Sequence, residues 1–236
     1  MANAGTQKKQ AQKPRRDPER TRETILEVAA KLLARDGAEG LSVSQVAKVV
    51  GVNRGTAYHH FQTREQLLSE TTAWVSEKLC KEIFGNLSPD DVQEVRLDAR
   101  VLSENLANFA MENPELGRIW LANMLRSTRR DKDPFWRLYK AHIDRFADSE
   151  LAQPGIDREV HAAVMLFGAF LWPVWARSSA QSARERQTMA RRYSRESLRL
   201  ALHGSLRKEM FPDLDIPSQP DAGSNPSKRE PRQGRA

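Results

Sequence analysis

Between residues 17 and 208 the chain reads as an all-α protein of about nine helices, because apolar residues recur at helical spacing almost throughout. Two further observations support this class. No stretch alternates apolar and polar residues long enough to make a strand. Start and stop signals also punctuate the pattern at helical lengths. The sequence divides into a basic tail (1–16), a helix-turn-helix segment (17–68), a larger helical domain (69–211) and a proline-rich tail (212–236).

The first helix starts at Asp17-Pro18, an N-cap followed by the residue best tolerated at the first helical position. Ile25, Ala29, Leu32 and Leu33 form its apolar stripe and Gly37 ends it. Ser42 and Gln45 fit a capping box that opens a short helix with Val43, Val46, Ala47 and Val50. Gly51-Val52-Asn53 breaks the pattern, and a second short helix over 53–60 carries Ala57 and Tyr58, with Phe61 after it. Thr63 and Gln66 form another capping box, ahead of Leu67, Leu68, Thr71, Trp74, Val75, Leu79 and Ile83.

A helix opens at Ser88-Pro89-Asp90-Asp91 and runs through Leu97, Val101, Leu102, Leu106 and Phe109 to Asn113-Pro114. Ile119, Leu121, Met124 and Leu125 mark the next. Asp133-Pro134 opens a helix with Trp136, Leu138, Tyr139, Ile143 and Phe146. Pro154-Gly155 breaks the chain, Asp157 caps the most apolar helix, and a last helix covers 183–208.

Composition bounds the function. With 236 residues the chain is long enough for a sizeable core, and its net charge of +7 favours polyanionic partners. The single cysteine, Cys80, excludes an internal disulfide and sits at a packing position beside Leu79 and Ile83. No apolar leader precedes the first helix, and the most apolar stretch, 162–176, contains Pro173 and falls short of the roughly 20 residues of a membrane span. A cytoplasmic protein with no membrane partner is expected. Residues 1–16 hold five Lys and Arg, and 212–236 hold five of the twelve prolines; both read as disordered tails.

Chemistry-bearing motifs are sparse. There is no glycine-rich phosphate loop, no His-Glu-x-x-His and no Gly-x-Ser-x-Gly, so neither an enzyme nor a cofactor is expected. Five histidines and one cysteine show no metal-ligand spacing. The informative segment is 41–61. Two short helices meet across a turn on Gly51, small Ala47 allows close approach, and Val46, Val52, Ala57 and Phe61 hold the pair against the first helix. That arrangement presents one helix to the major groove of double-stranded DNA. Arg54 reaches base edges or phosphate, Gly55 allows close backbone approach, Thr56 offers a hydroxyl and a methyl, and Tyr58, His59 and His60 can hydrogen-bond. Arg64, at the start of the next helix, is placed for a phosphate. The alternative is an αα-hairpin with a solvated face.

Residues 17–68 resemble the DNA-binding domain of the TetR family of transcriptional regulators. The resemblance rests on Arg22-Glu-Thr-Ile-Leu-Glu-Val-Ala-Ala-Lys-Leu-Leu33, Gly37, Leu41-Ser-Val43, Val46-Ala47, Gly51-Val52, Gly55-Thr56, Tyr58-His-His-Phe61 and Glu65-Gln-Leu67. It implies that 53–60 is the recognition helix, with DNA contacts from Arg54, Gly55, Thr56, Tyr58, His59 and His60, joined by Ser42 and Ser44. Arg64 stands where the family often has Lys, and Asn53 where it often has Ser or Thr.

The resemblance further implies a homodimer formed through the last two long helices, a palindromic operator, repression, and release by a small-molecule effector. Phe109, Trp120, Met124, Phe135, Trp136, Tyr139, Met165, Phe167 and Trp172 are the candidate pocket lining, with Asn105, His142 and His161 as polar groups. Such a lining suits a lipophilic or aromatic molecule. Ordinary core packing is the competing reading of those residues.

Overall fold

A computed structural model describes residues 17–85, 87, 98–176 and 180–203. The two tails, the expected helix start at 88–91 and the end of the last helix beyond 203 lie outside the described residues. Among them are nine α-helices, one 3₁₀ turn and no strand. The chain divides into two compact units at Thr72/Ala73, inside a helix and four residues beyond the boundary expected from sequence.

Unit 1 begins with α1 (Pro18–Asp36), whose N-cap Asp17 accepts from the Glu19 amide at 3.1 Å. Helix α2 (Val43–Val50) is capped by Ser42, which accepts from Gln45 N at 3.1 Å. Helix α3 (Arg54–His60) is capped by Asn53, which accepts from Thr56 N at 2.7 Å. Helix α4 (Arg64–Phe84) follows, with Thr63 Oγ1 accepting from Gln66 N at 3.0 Å. The second half of this capping box is displaced by one residue: the Gln66 side chain accepts from Gln62 N, at 2.9 Å.

The core of unit 1 is Ile25, Leu26, Ala29, Ala30 and Leu32 of α1 with Leu41, Val43, Val46, Ala47, Ala57, Phe61 and Leu67. Leu33, expected in the α1 stripe, is half-buried, and Leu26 and Ala30 widen the stripe on its other side. The turn between α2 and α3 requires Gly51, whose φ of 74° and ψ of 32° are left-handed. The Ala47 carbonyl accepts from both Gly51 N (3.0 Å) and Val52 N (3.1 Å).

Unit 2 holds the rest of α4, then α5 (Ala99–Glu112), α6 (Pro114–Arg126), α7 (Pro134–Ala147), α8 (Arg158–Ala176) and α9 (Ala183–His203). Helix α5 starts at Asp98, whose side chain caps Arg100 N at 2.8 Å. Helix α8 is the central element, touching α5, α6, α7 and α9, while α9 lies along α5. By length and composition α8 alone among the described helices could cross a membrane. Its packing against four other helices buries only part of that apolar surface.

An aromatic core fills the middle of unit 2. The Trp120 ring meets Phe135 at 5.2 Å and Phe170 at 5.4 Å between centroids, both edge-on, and Phe135 stacks on Tyr139 at 6.1 Å. The Trp120 indole N–H and the Phe135 backbone N–H are satisfied. Trp120 Nε1 donates to Asp133 Oδ1 at 3.0 Å, the same oxygen that caps α7 at Trp136 N. Ser76 Oγ accepts from the buried Phe135 N at 3.1 Å.

Candidate nucleic-acid interface

The second helix of a helix-turn-helix can read DNA only if one face is anchored and the other is bare. In α3 the anchors are Ala57 and the cap residue Phe61, both fully buried. Arg54, Gly55, Tyr58 and His59 are exposed, and Thr56 and His60 are half-exposed. The structure therefore gathers all six expected residues of 54–60 on one short helix. Ser42 and Ser44, at the start of α2, are half-buried; Ser42 is engaged as the α2 cap.

Two contacts organise the exposed face. The Arg54 guanidinium lies over the Tyr58 ring, 5.4 Å from its centroid. The Tyr58 hydroxyl lies 3.4 Å from Ser44 Oγ, linking α3 to α2. Hydrogen bonding from Ser44, then from Arg54, lowers the Tyr58 pKa below its ordinary value. Partial burial, with His59 and Arg22 adding to it, lowers that of His60, which favours the neutral imidazole that can accept as well as donate a hydrogen bond.

Gly55 meets no close neighbour. A Cβ built there would lie 3.4 Å from Asn53 Oδ1 and touch nothing else. Packing within unit 1 does not demand glycine at 55, which leaves its bare surface available to an approaching ligand.

Arg64, expected at a phosphate, is engaged within unit 1. Its Nε donates to Leu41 O at 3.0 Å and its Nη2 to Ala38 O at 2.5 Å. The guanidinium fork thus closes the loop between α1 and α2 against the start of α4. The bonded carbonyls are 23 and 26 residues away in sequence, so no local signal announced this use.

A second network lies behind α3 and was not foreseen. Arg22 of α1 pairs with Glu70 of α4 and lies over the Phe61 ring, 5.6 Å from its centroid. Glu70 also accepts from Gln66 Nε2 at 2.8 Å. These contacts hold the C-terminal end of α3 between α1 and α4. The Arg22–Glu70 separation of 48 residues again hides it from sequence.

The candidate effector lining is dispersed. Trp120, Tyr139, Phe109 and Met124 are buried core, and His142, 6.5 Å from the Phe84 ring, borders them. Trp136 and Met165 are half-buried. His161 stacks on Phe146 at 6.2 Å, and Trp172 packs on Tyr193 and donates to Met189 O at 3.2 Å. Two open grooves mark unit 2. One, of about 530 Å³, lies between α5 and α9; the other, of about 360 Å³, lies beside Cys80 and Pro134. None of the nine primary candidates, Phe109, Trp120, Met124, Trp136, Tyr139, His142, His161, Met165 or Trp172, lines either groove.

Among the described residues no group of three or more His, Cys, Asp or Glu could hold a metal ion.

Comparison with known proteins places this architecture. The family model "Bacterial regulatory proteins, tetR family" matches residues 25–71, which contain α2, α3 and most of α1. The transcriptional regulator AcrR of Shigella flexneri is 38% identical over 60 residues, covering 25% of this chain and 28% of that protein. The chain thus spans little more than a quarter of this curated relative's length. PfmR of Thermus thermophilus, a TetR-family regulator, superposes with a TM-score of 0.56 at 23% identity, over 79% of this chain and 97% of that one. AibR, solved in complex with isovaleryl coenzyme A and operator DNA, superposes with a TM-score of 0.54 at 17% identity, over 74% and 96%. These two likenesses extend the shared fold into unit 2. The family is one of regulators rather than enzymes. Over residues 25–71 this chain is thus similar in sequence to the tetR family of bacterial regulatory proteins, and its helical architecture has the fold of PfmR and AibR.

Proposed function

We propose that the chain is a transcriptional repressor that binds a palindromic operator in double-stranded DNA as a homodimer, through α3, and is released by a small lipophilic or aromatic effector. The observation that carries the DNA-binding part is the two-sided character of α3. Ala57 and Phe61 are buried while Arg54, Tyr58 and His59 stay exposed, on a helix capped at both ends. Arg54 is the candidate base reader. Tyr58, Ser44, His59 and His60 are candidates for phosphate or base contacts, and Thr56 and Gly55 for close approach. Arg64 is left out of the interface because its guanidinium serves Leu41 and Ala38.

The dimer is supported by α8. Val160, Val164, Leu171 and Trp175 follow one another at helical spacing, and all are exposed, Trp175 by 81%. An apolar stripe of this length is covered in a stable protein, and a second copy offers the matching stripe by symmetry. Two-fold symmetry in turn implies two-fold operator symmetry. The effector part draws on the aromatic interior of unit 2 and on the ligand that accompanies DNA in the AibR complex.

Selection of bound DNA from a random pool, with sedimentation of the free protein, tests the reading. A pair of inverted half-sites and a dimer at micromolar concentration are expected. Failure to enrich any sequence ends the DNA-reading role, and a monomer ends the palindrome argument. Compounds that release the selected DNA would then identify the effector.

A further inference from the structure

Arg54 is the one arginine on α3, and no ion pair among the described residues involves it. Its charge is left for a ligand. An arginine with no partner samples many rotamers. Here the guanidinium has a defined place, 5.4 Å from the Tyr58 ring centroid, one turn further along α3. The ring has a defined place as well, because its hydroxyl lies 3.4 Å from Ser44 Oγ on the neighbouring helix. Tyr58 is 37% exposed, and the arginine covers one face of its ring.

We propose that Tyr58 is a positioning residue for sequence reading: its ring is a shelf that aims the Arg54 guanidinium at a base pair. The proposal rests on the DNA-reading role of α3 and deepens it. It makes sequence preference at one base pair depend on a ring that need not touch that base. Stacking restrains a flexible cation in advance, so less rotamer freedom is lost when the fork meets its acceptors.

The test uses the full chain and the operator selected as above, with a panel of operators changed at one base pair each. Affinities are measured by fluorescence anisotropy for the wild type and for Arg54→Ala, Tyr58→Leu, Tyr58→Phe and Tyr58→Trp, plus the double variant Arg54→Ala/Tyr58→Leu. The base pair at which Arg54→Ala loses discrimination defines what Arg54 reads; the wild type should prefer the correct pair there by roughly ten- to a hundredfold. Tyr58→Leu, which keeps the helix and the apolar bulk, should flatten preference at that same pair and leave the other positions intact. The double variant should be no flatter than Arg54→Ala alone. Tyr58→Phe and Tyr58→Trp retain a shelf and should retain the preference at that pair, even where overall affinity falls.

The proposal is overturned if Tyr58→Leu weakens all sequences alike and keeps the preference, since Tyr58 would then be a phosphate contact only. It is equally overturned if the phenylalanine and tryptophan variants flatten the preference as leucine does, since a ring would then not be what matters. A wild type that enriches no sequence removes the DNA-reading role and this proposal with it. A wild type that enriches a sequence while the Tyr58 series fails leaves the DNA-reading role standing.

Discussion

Replacing Arg64 separates two roles that the same side chain can play. As a phosphate contact it would contribute to DNA binding and nothing to the fold. As placed here, it joins the start of α4 to the Ala38 and Leu41 carbonyls of the α1–α2 loop. A hydrogen bond from a charged donor contributes about 1.5–3 kcal/mol when water is excluded. The Arg64 side chain is 40% exposed, so solvent competes for both carbonyls, and the two bonds together are expected to contribute only about 1–3 kcal/mol. In a unit of this size each kcal/mol moves the melting temperature by roughly 4–8 °C, which puts Arg64→Ala about 4–24 °C below the wild type. Arg64→Lys should recover part of the loss, because an ammonium reaches one carbonyl at a time without the planar fork. The assay needs no DNA. Four of the five tryptophans lie beyond α4, so circular dichroism lost before tryptophan fluorescence changes reports mainly unit 1. DNA binding supplies the second arm: the slope of log affinity against log salt should stay unchanged. Melting within about 1 °C of the wild type, together with a slope shallower by about one, would refute the structural role and restore the phosphate contact.

Gly117→Ala should destabilise unit 2 by roughly 1–2 kcal/mol even after the gain in helix propensity, because the new Cβ would lie 2.9 Å from the Phe170 ring, itself wedged against Trp120. Gly168→Ala should be nearly neutral by contrast: only the Tyr193 hydroxyl must give way, with loss of its hydrogen bond to Met165 O, and urea melts of both variants check the pair. Burial lowers the pKa of His161, and burial with Arg145 lowers that of His142, so protonation favours the unfolded chain. Their contribution is fully present above the ordinary histidine value of about 6.5 and is lost as pH falls through the lower folded values; a melting curve that drops below pH 6, and drops less in His142→Gln or His161→Gln, is the expected result. Burial, aided by Asp133 and Glu77, raises the Cys80 thiol to about 12. Iodoacetamide at pH 8 should therefore modify the native protein far more slowly than the urea-unfolded one, as mass spectrometry would show.

What could be read from sequence was what depends on near neighbours. Ser42 with Gln45 and the break at Gly51 depend on residues within three or four of one another, and each appears where the pattern placed it; the Asn53–Thr56 cap is just as local. The apolar faces of α2 and α3 followed from the same short-range periodicity. What stayed hidden depends on distant partners. Arg64 meets Ala38, Arg22 meets Glu70, and Ser76 meets Phe135 across 59 residues. The aromatic residues of unit 2 were visible as a set, but periodicity cannot tell a lined hollow from a filled one. Helix α8 illustrates the same limit. Its apolar residues all the way round marked it for burial, and only packing shows that Leu166, Ala169 and Phe170 are covered while Val164, Leu171 and Trp175 are not.

The filled interior of unit 2 has a kinetic corollary. Trp120, Phe135 and Phe170 are each almost fully buried and in mutual contact, so a guest entering among them must wait for the rings to part. Binding would then be governed by how often the chain opens rather than by how often the guest collides with it. The association rate would level off as guest concentration rises, and its plateau would measure the opening step. Affinity would be discounted by the fraction of time spent open, so a substitution that loosens the rings would tighten binding while lowering stability. Trp120, in the middle of the group, would carry the signal.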